Sequence, residues 1–322
     1  MLHHLLNISD ITKTDLEHIL TVAGNIANQP SRFCEVGKGK ILATLFFEPS
    51  TRTRLSFESA MLRLGGGVIG FSDMSASSSA KGETIEDTSR VVSSYCDVMA
   101  VRHPTAFTPH KMASVATVPV INAGDGANEH PTQTLTDLVT IRQRFGRLDN
   151  LTIGLCGDLK YGRTVHSLIK MMSRFKSNRF VLIAPDKLQM PREITRALDR
   201  DGVNCRVTGD LEGAIGKLDV LYMTRIQRER FEDKSEYEKL SGVYILDKEK
   251  LAAARRDMIV LHPLPRVDEI STDVDGDERA WYFRQAQFGV YARMALMIEL
   301  LGLSAAADEI AEERRVVVAR PA

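Results

Sequence analysis

The sequence predicts an α/β fold of two doubly wound domains, each a mostly parallel sheet flanked by helices. Three observations predict it. Apolar runs alternate with helical patterns along the 322 residues. Several of those runs are continuous in Val, Ile and Leu, as strands buried on both faces must be. A strand followed by a crossover helix, repeated many times, is the pattern of parallel sheets.

The elements follow in order. A helical pattern over 13–28 precedes the apolar run Ile41-Leu42-Ala43-Thr44-Leu45-Phe46-Phe47, a strand over 41–47. Glu48-Pro49 stops it, and a helix over 52–64 follows. Strands at 67–71, 97–101 and 118–122 alternate with helices at 84–94, 108–115 and 132–145. A polar break, Phe145-Gly146-Arg147-Leu148-Asp149-Asn150, then separates this half from the strong strand 151–156, which marks a domain junction. Beyond it, strands at 179–184, 219–223 and 258–261 alternate with helices at 164–175 and 191–200. A long helix over 282–301 is read as crossing back to the first domain. The Ser-rich stretch 75–80, leading into Lys81, reads as a mobile loop. The tail from Ser304 to Ala322 has no assigned role.

Bulk numbers exclude several function classes. Apolar content is 43% and charged content 26%, as in an ordinary globular protein. Lys and Arg total 42, and so do Asp and Glu, which leaves no bulk attraction for nucleic acid or membrane surfaces. Any anion site must come from local clustering. Cys34, Cys96, Cys156 and Cys205 are far apart and form no Cys-x-x-Cys pair, so zinc and redox motifs are absent. Free thiols in a reducing cytoplasm are the simple expectation. The first residues lack the pattern of a signal peptide, and no apolar stretch approaches the ~20 residues of a membrane span.

The strongest motif is Ser50-Thr51-Arg52-Thr53-Arg54. A strand stops and a helix starts with three hydroxyls and two guanidiniums in its first turn. Free N–H groups and the positive end of the helix dipole gather there, so the site suits a phosphate. A well-capped surface helix with solvated arginines is the plain alternative. Gly157-Asp158-Leu159-Lys160-Tyr161-Gly162-Arg163 leaves another strand and sets Arg163 at a helix start. Gly154, Gly157 and Gly162 do not make the dinucleotide spacing G-x-G-x-x-G, which leaves a nicotinamide oxidoreductase as a weak rival. A turn-rich loop delivers His130 and Gln133, and Arg102 and Arg225 close two further strands. His262-Pro263-Leu264-Pro265-Arg266 closes the last one. Such a set holds polyanions and stabilises developing negative charge without a covalent nucleophile.

Taken together, 46–54, 130–133, 157–163 and 262–266 resemble the catalytic chains of the aspartate carbamoyltransferase family, over about 41–301. The resemblance implies carbamoyl transfer from carbamoyl phosphate to the amine of L-aspartate, the second step of pyrimidine synthesis. It implies that Ser50, Thr51, Arg52 and Thr53 hold the phosphate. Arg102, His130 and Thr53 contact the carbamoyl oxygen, with Gln133 near its amine. Leu264 and Pro265 also line the carbamoyl phosphate site, the Leu264 carbonyl orienting the reacting groups. Arg163 and Arg225 grip the two carboxylates of aspartate, assisted by Gln227. Ser77 and Lys81 come from the adjacent subunit of a homotrimer with shared active sites, Lys81 touching aspartate as well. Glu48 and Arg230 resemble a pair that bridges the domains on closure. The domains are then 1–132 plus 286–322 for carbamoyl phosphate and 133–285 for aspartate, joined by two interdomain helices. No cofactor or metal is implied. The location is cytoplasmic, and a separate regulatory chain is possible.

Two rivals follow from the same residues. A carbamoyltransferase for ornithine must accept a cationic side chain, which Arg225 would repel. An inactive scaffolding homologue should have lost site residues, whereas every matched position is filled.

Overall fold

In a computed structural model of the chain, residues 2–72, 82–226, 237–238 and 242–318 are described, with side chains up to residue 311. The chain divides into two compact units, Met1–Val139 with Gln287–Ala322, and Thr140–Ala286. The first division lies between the expected limit at 132 and the polar break at 145–150.

The first unit opens with α1 (Lys13–Asn28). Thr12 and Asp15 close its N-terminus reciprocally: the Asp15 N–H donates to Thr12 Oγ1 at 3.1 Å and the Thr12 N–H to the Asp15 carboxylate at 3.3 Å. Leu16, Ile19, Leu20, Ala23 and Ile26 recur on its buried face. Then follow β1 (Ile41–Phe46), α2 (Thr51–Arg63), β2 (Gly67–Phe71), α3 (Ile85–Ser93), β3 (Val98–His103), α4 (Thr108–Ala113), β4 (Val120–Asp125) and α5 (Pro131–Phe145). The sheet is parallel with order β2-β1-β3-β4. Ala43, Leu45, Phe47, Met99, Val101, Met112 and Val120 make a core cluster on it. Each such side chain, once withdrawn from water, contributes roughly 1–3 kcal/mol.

The second unit carries β5 (Thr152–Cys156), α6 (Arg163–Met172), β6 (Arg179–Ile183), α7 (Arg192–Arg200), β7 (Asn204–Thr208), α8 (Glu212–Ile215), β8 (Val220–Met223), α9 (Lys248–Ala252) and β9 (Ile259–Leu261). These strands are also parallel, in the order β7-β6-β5-β8-β9. The chain closes with α10 (Tyr282–Leu300) and α11 (Ser304–Val318). The divisions at 139 and 286 fall inside α5 and α10, so two helices run unbroken from one unit into the other.

Four elements depart from the sequence expectations. β7 was not anticipated, because it is an edge strand whose residues stay largely exposed and whose sequence, Asn-Cys-Arg-Val-Thr, lacks an apolar run. The short helices α8 and α9 offer too few residues for a periodic signal. The tail, for which no element was read, carries α11, which begins at Ser304, whose hydroxyl donates to Glu299 at 3.0 Å, and Ala307 is buried.

Gly157, at the end of β5, has φ +116°, and a Cβ there would lie 2.1 Å from the Thr224 carbonyl oxygen. Gly157→Ala is expected to destabilise the protein by about 1–3 kcal/mol or more in denaturant titration. Gly276→Ala, where a Cβ meets nothing within 4 Å, is expected to change stability by less than ~0.5 kcal/mol.

Candidate active site

In each sheet the chain moves outward in two directions from a pair of central strands. Ligands in open α/β sheets bind at the carboxyl ends of such a pair, where the loops part. In the first unit the pair is β1 and β3, because β1 leads to β2 on one side and β3 to β4 on the other. In the second it is β5 and β8.

Phe46 of β1 lies opposite Arg102 of β3, and the Phe47 N–H donates to the Arg102 carbonyl at 2.9 Å. The chain then turns through Glu48-Pro49 into α2, with Ser50 at the N-cap in an extended conformation. The Ser50 side chain makes no capping hydrogen bond. The first turn of α2 therefore brings its N–H groups, the Thr51 and Thr53 hydroxyls and Arg52 to the edge of the sheet, ready for an anion. Arg52 sits below its ordinary pKa, first through partial burial and second through the nearby Arg102 charge.

Arg54 plays a different part from the one its place in the motif suggested. It pairs with Glu58 one turn along, at 3.6 Å, and Glu58 also accepts from Thr44 Oγ1 at 3.2 Å. The two cations that converge are thus Arg52 and Arg102, not Arg52 and Arg54. Arg102 is in turn held by Glu48, Nε to Oε1 2.7 Å, with both side chains half-buried. The pairing expected of Glu48, with Arg230, falls on a residue outside the described ones.

His130 reaches this edge from the loop after β4. It is 6% exposed, with Nε2 3.4 Å from Thr53 Oγ1 and Nδ1 3.3 Å from Thr132 Oγ1. The loop is shaped by Asp125, a buried carboxylate that sequence reasoning passed over. Asp125 accepts from Asn122 Nδ2 (3.0 Å), the Glu129 N–H (3.0 Å), the Phe107 N–H (2.8 Å) and Asn128 Nδ2 (3.0 Å). Four donors on one buried carboxylate offset its desolvation and fix the turn that delivers His130. Gln133 follows in the first turn of α5, donating to Asp137 at 2.9 Å.

In the second unit the ends of β5 and β8 are tied together. The Thr224 N–H donates to the Cys156 carbonyl at 2.8 Å, and the Asp158 N–H to Thr224 Oγ1 at 3.0 Å. Arg225 follows Thr224 directly. Arg163 is the first residue of α6, after Gly162, where a Cβ would lie 2.5 Å from the Asp158 carbonyl oxygen. Two arginines thus leave adjacent strand ends. On the other side of β8, the loop after β9 carries Leu264, with φ +54°, in cis linkage to Pro265. His262 and Glu269 hold this loop, with Nε2 and Oε1 2.6 Å apart.

The structure therefore places Ser50, Thr51, Arg52, Thr53, Arg102, His130 and Gln133 along one sheet edge of the first unit. Arg163, Arg225, Leu264 and Pro265 lie at strand ends of the second. Ser77, Lys81 and Gln227 lie outside the described residues. Missed from sequence were Asp125, Glu48 as the partner of Arg102, and the His262–Glu269 contact. The run Gly-Asp-Gly-Ala-Asn carried a signal for the first, since Asp in a turn serves as a backbone acceptor.

Comparison with known proteins bears on this arrangement. Residues 3–143 match the family described as aspartate/ornithine carbamoyltransferase, carbamoyl-P binding domain, and residues 149–300 match its Asp/Orn binding domain. The aspartate carbamoyltransferase catalytic subunit of Clostridium novyi is 55% identical over 300 residues, covering 93% of this chain and 98% of that one. Among solved structures, the catalytic subunit of M. jannaschii aspartate transcarbamoylase superposes with a TM-score of 0.88 at 45% identity, over 93% of this chain and 98% of that one. Aspartate transcarbamoylase from Trypanosoma cruzi, in complex with carbamoyl phosphate and aspartate, gives a TM-score of 0.85 at 40% identity, over 92% and 94%. The two parallel sheets, the cations at their switch points and these likenesses agree, and the chain belongs to the aspartate/ornithine carbamoyltransferase family, among the aspartate carbamoyltransferase catalytic subunits.

Proposed function

We propose that this chain transfers the carbamoyl group of carbamoyl phosphate to the amine of L-aspartate, giving N-carbamoyl-L-aspartate and phosphate, a step toward pyrimidines. The observation that carries the reading is the pair of arginines at each switch point: Arg52 with Arg102, and Arg163 with Arg225. Carbamoyl phosphate brings a phosphate dianion and aspartate brings two carboxylates, so each substrate meets two guanidiniums. Guanidinium forks match both groups in geometry as well as charge.

The roles follow from the chemistry. Ser50, Thr51, Arg52 and Thr53 hold the phosphate at the α2 start. The neutral amine attacks the carbamoyl carbon; a C–N bond forms, and the C–O bond to phosphate breaks with its electron pair leaving on the phosphate. The amine loses a proton as it becomes an amide, and the departing phosphate takes that proton up. Between these events the carbamoyl oxygen carries negative charge, which Arg102, His130 and the Thr53 hydroxyl stabilise. Gln133 and Pro265 line the carbamoyl group. Arg163 and Arg225 hold the carboxylates of aspartate, with Gln227 and Lys81 assisting, and the Leu264 carbonyl accepts from the amine. Positioning and charge stabilisation supply the rate without a covalent intermediate. Arg225 also argues against ornithine, whose side-chain cation it would repel.

The sites are shared in a cytoplasmic homotrimer, with Ser77 and Lys81 supplied by the adjacent subunit and a regulatory chain as a further possible partner. Shared sites make a specific demand on mixed assemblies. An inactive Lys81→Ala chain and an inactive Arg52→Ala chain, denatured and refolded together, are expected to regain activity, because some sites then receive both wild-type residues. A mixture no more active than its parents contradicts sharing.

Purified protein given carbamoyl phosphate is expected to release phosphate with aspartate and to release it at least ~100-fold more slowly with ornithine. Absence of turnover with aspartate overturns the proposal. Arg52→Ala should fold normally and lose about 10²–10³ in kcat; full activity in that variant would reject the phosphate site.

A further inference from the structure

The loop after β9 contains a histidine that the transfer chemistry leaves unused. His262 is buried, 2% exposed, and three contacts fix it. Its backbone N–H donates to Gln285 Oε1 at 2.9 Å. Its Nδ1 accepts the Leu264 N–H at 2.8 Å. Its Nε2 lies 2.6 Å from Glu269 Oε1. The other carboxylate oxygen, Glu269 Oε2, accepts from the Val267 N–H at 3.1 Å and the Asp268 N–H at 3.2 Å.

These contacts settle where the ring proton sits. Burial pushes the Glu269 carboxyl up, but the hydrogen bonds from His262 and the loop backbone outweigh it and hold the group below its ordinary range. Glu269 is therefore a carboxylate and only accepts, so Nε2 must carry the proton. Nδ1 must be bare, because a proton there would confront the Leu264 N–H. The contacts thus fit the Nε2–H tautomer of the ring.

The consequence lies at Leu264. Its φ of +54° is left-handed, a conformation that disfavours a leucine by about 1–2 kcal/mol. Such a residue persists when its surroundings over-determine it. Here the bare Nδ1 accepts its N–H, and that contact fixes the peptide unit entering Leu264, from which its carbonyl follows.

We propose that Glu269 selects the Nε2–H tautomer of His262, and that His262 thereby holds the Leu264 main chain, making both of them positioning residues for carbamoyl transfer. This rests on the reading that the Leu264 carbonyl faces the reacting amine. Neither residue touches substrate.

Two substitutions separate the two ends of the imidazole. His262→Gln keeps a donor near the Nε2 position but offers no acceptor to the Leu264 N–H. His262→Asn keeps an acceptor near the Nδ1 position but no longer reaches Glu269. In steady-state kinetics on the full chain, His262→Gln is expected to lower kcat about 10-fold or more, the worth of one well-placed hydrogen bond. KM for carbamoyl phosphate should change less than about threefold, because the phosphate contacts lie elsewhere. His262→Asn should recover most of the lost kcat. Wild-type kcat in His262→Gln, or equal loss in both variants at equal melting temperature, overturns the proposal.

A measurement on the wild-type protein keeps the test decisive should a variant fail to fold. Nitrogen-15 NMR of histidine-labelled chain, with the His262 signal identified by difference, is expected to show neutral imidazole protonated at Nε2. In Glu269→Gln the two tautomers should mix. An Nδ1–H or doubly protonated ring in the wild type at neutral pH rejects the latch. Failure of the wild type to carbamoylate aspartate would instead reject the underlying function and leave the tautomer result standing.

Discussion

Two like charges must be held close together for a dianion to be recognised, and the first unit is arranged around that constraint. Arg52 enters from the start of α2 and Arg102 from the end of β3, and partial burial first, then the nearby Arg102 charge, lowers the pKa of Arg52. Left alone, both would swing into water. Arg102 cannot, because Glu48 holds its Nε at 2.7 Å in a half-buried pair. That contact converts a mobile cation into a fixed one, with its remaining donors directed by the strand. The same logic explains why the N-cap hydroxyl of Ser50 does not close on its own helix. A helix start that satisfies itself has less to offer an anion.

The second unit solves a related problem with backbone rather than charge. Thr224 bridges the ends of β5 and β8 through its N–H and its hydroxyl, so Arg225 and the loop leading to Arg163 leave a single rigid edge. Gly157 and Gly162 are the points where neighbouring backbone comes too close for any Cβ. Rigidity here matters because orientation is the main source of rate in a reaction without a covalent intermediate. On the far side of β8, the His262–Glu269 contact extends the same principle to Leu264.

Much of this was legible in the sequence, for identifiable reasons. β1, β5 and β8 are interior strands, so both faces must be apolar and the runs stand out. The Ser50–Arg54 run is a dense local signal, because the groups it offers a ligand are adjacent in the chain. Contacts between distant residues left no such mark. Glu48 and Arg102 are 54 residues apart, and only the β1–β3 register brings them together. Arg54 looked equivalent to Arg52 in sequence, yet the helical turn presents it to Glu58 instead. β7, at an exposed edge, carries too little hydrophobic pattern to announce a strand. The tautomer of His262 depends on Glu269 and Leu264 together, which no spacing rule reports.

The central claim is that the cations at the α2 start recognise the phosphate of carbamoyl phosphate. Calorimetric titration of carbamoyl phosphate into the wild-type chain and into Arg52→Ala tests it most directly, since it reads binding without chemistry. Saturable binding weakened at least ~10-fold by the substitution, about 1.4 kcal/mol, is the predicted result. Equal affinity in the two proteins would contradict the account.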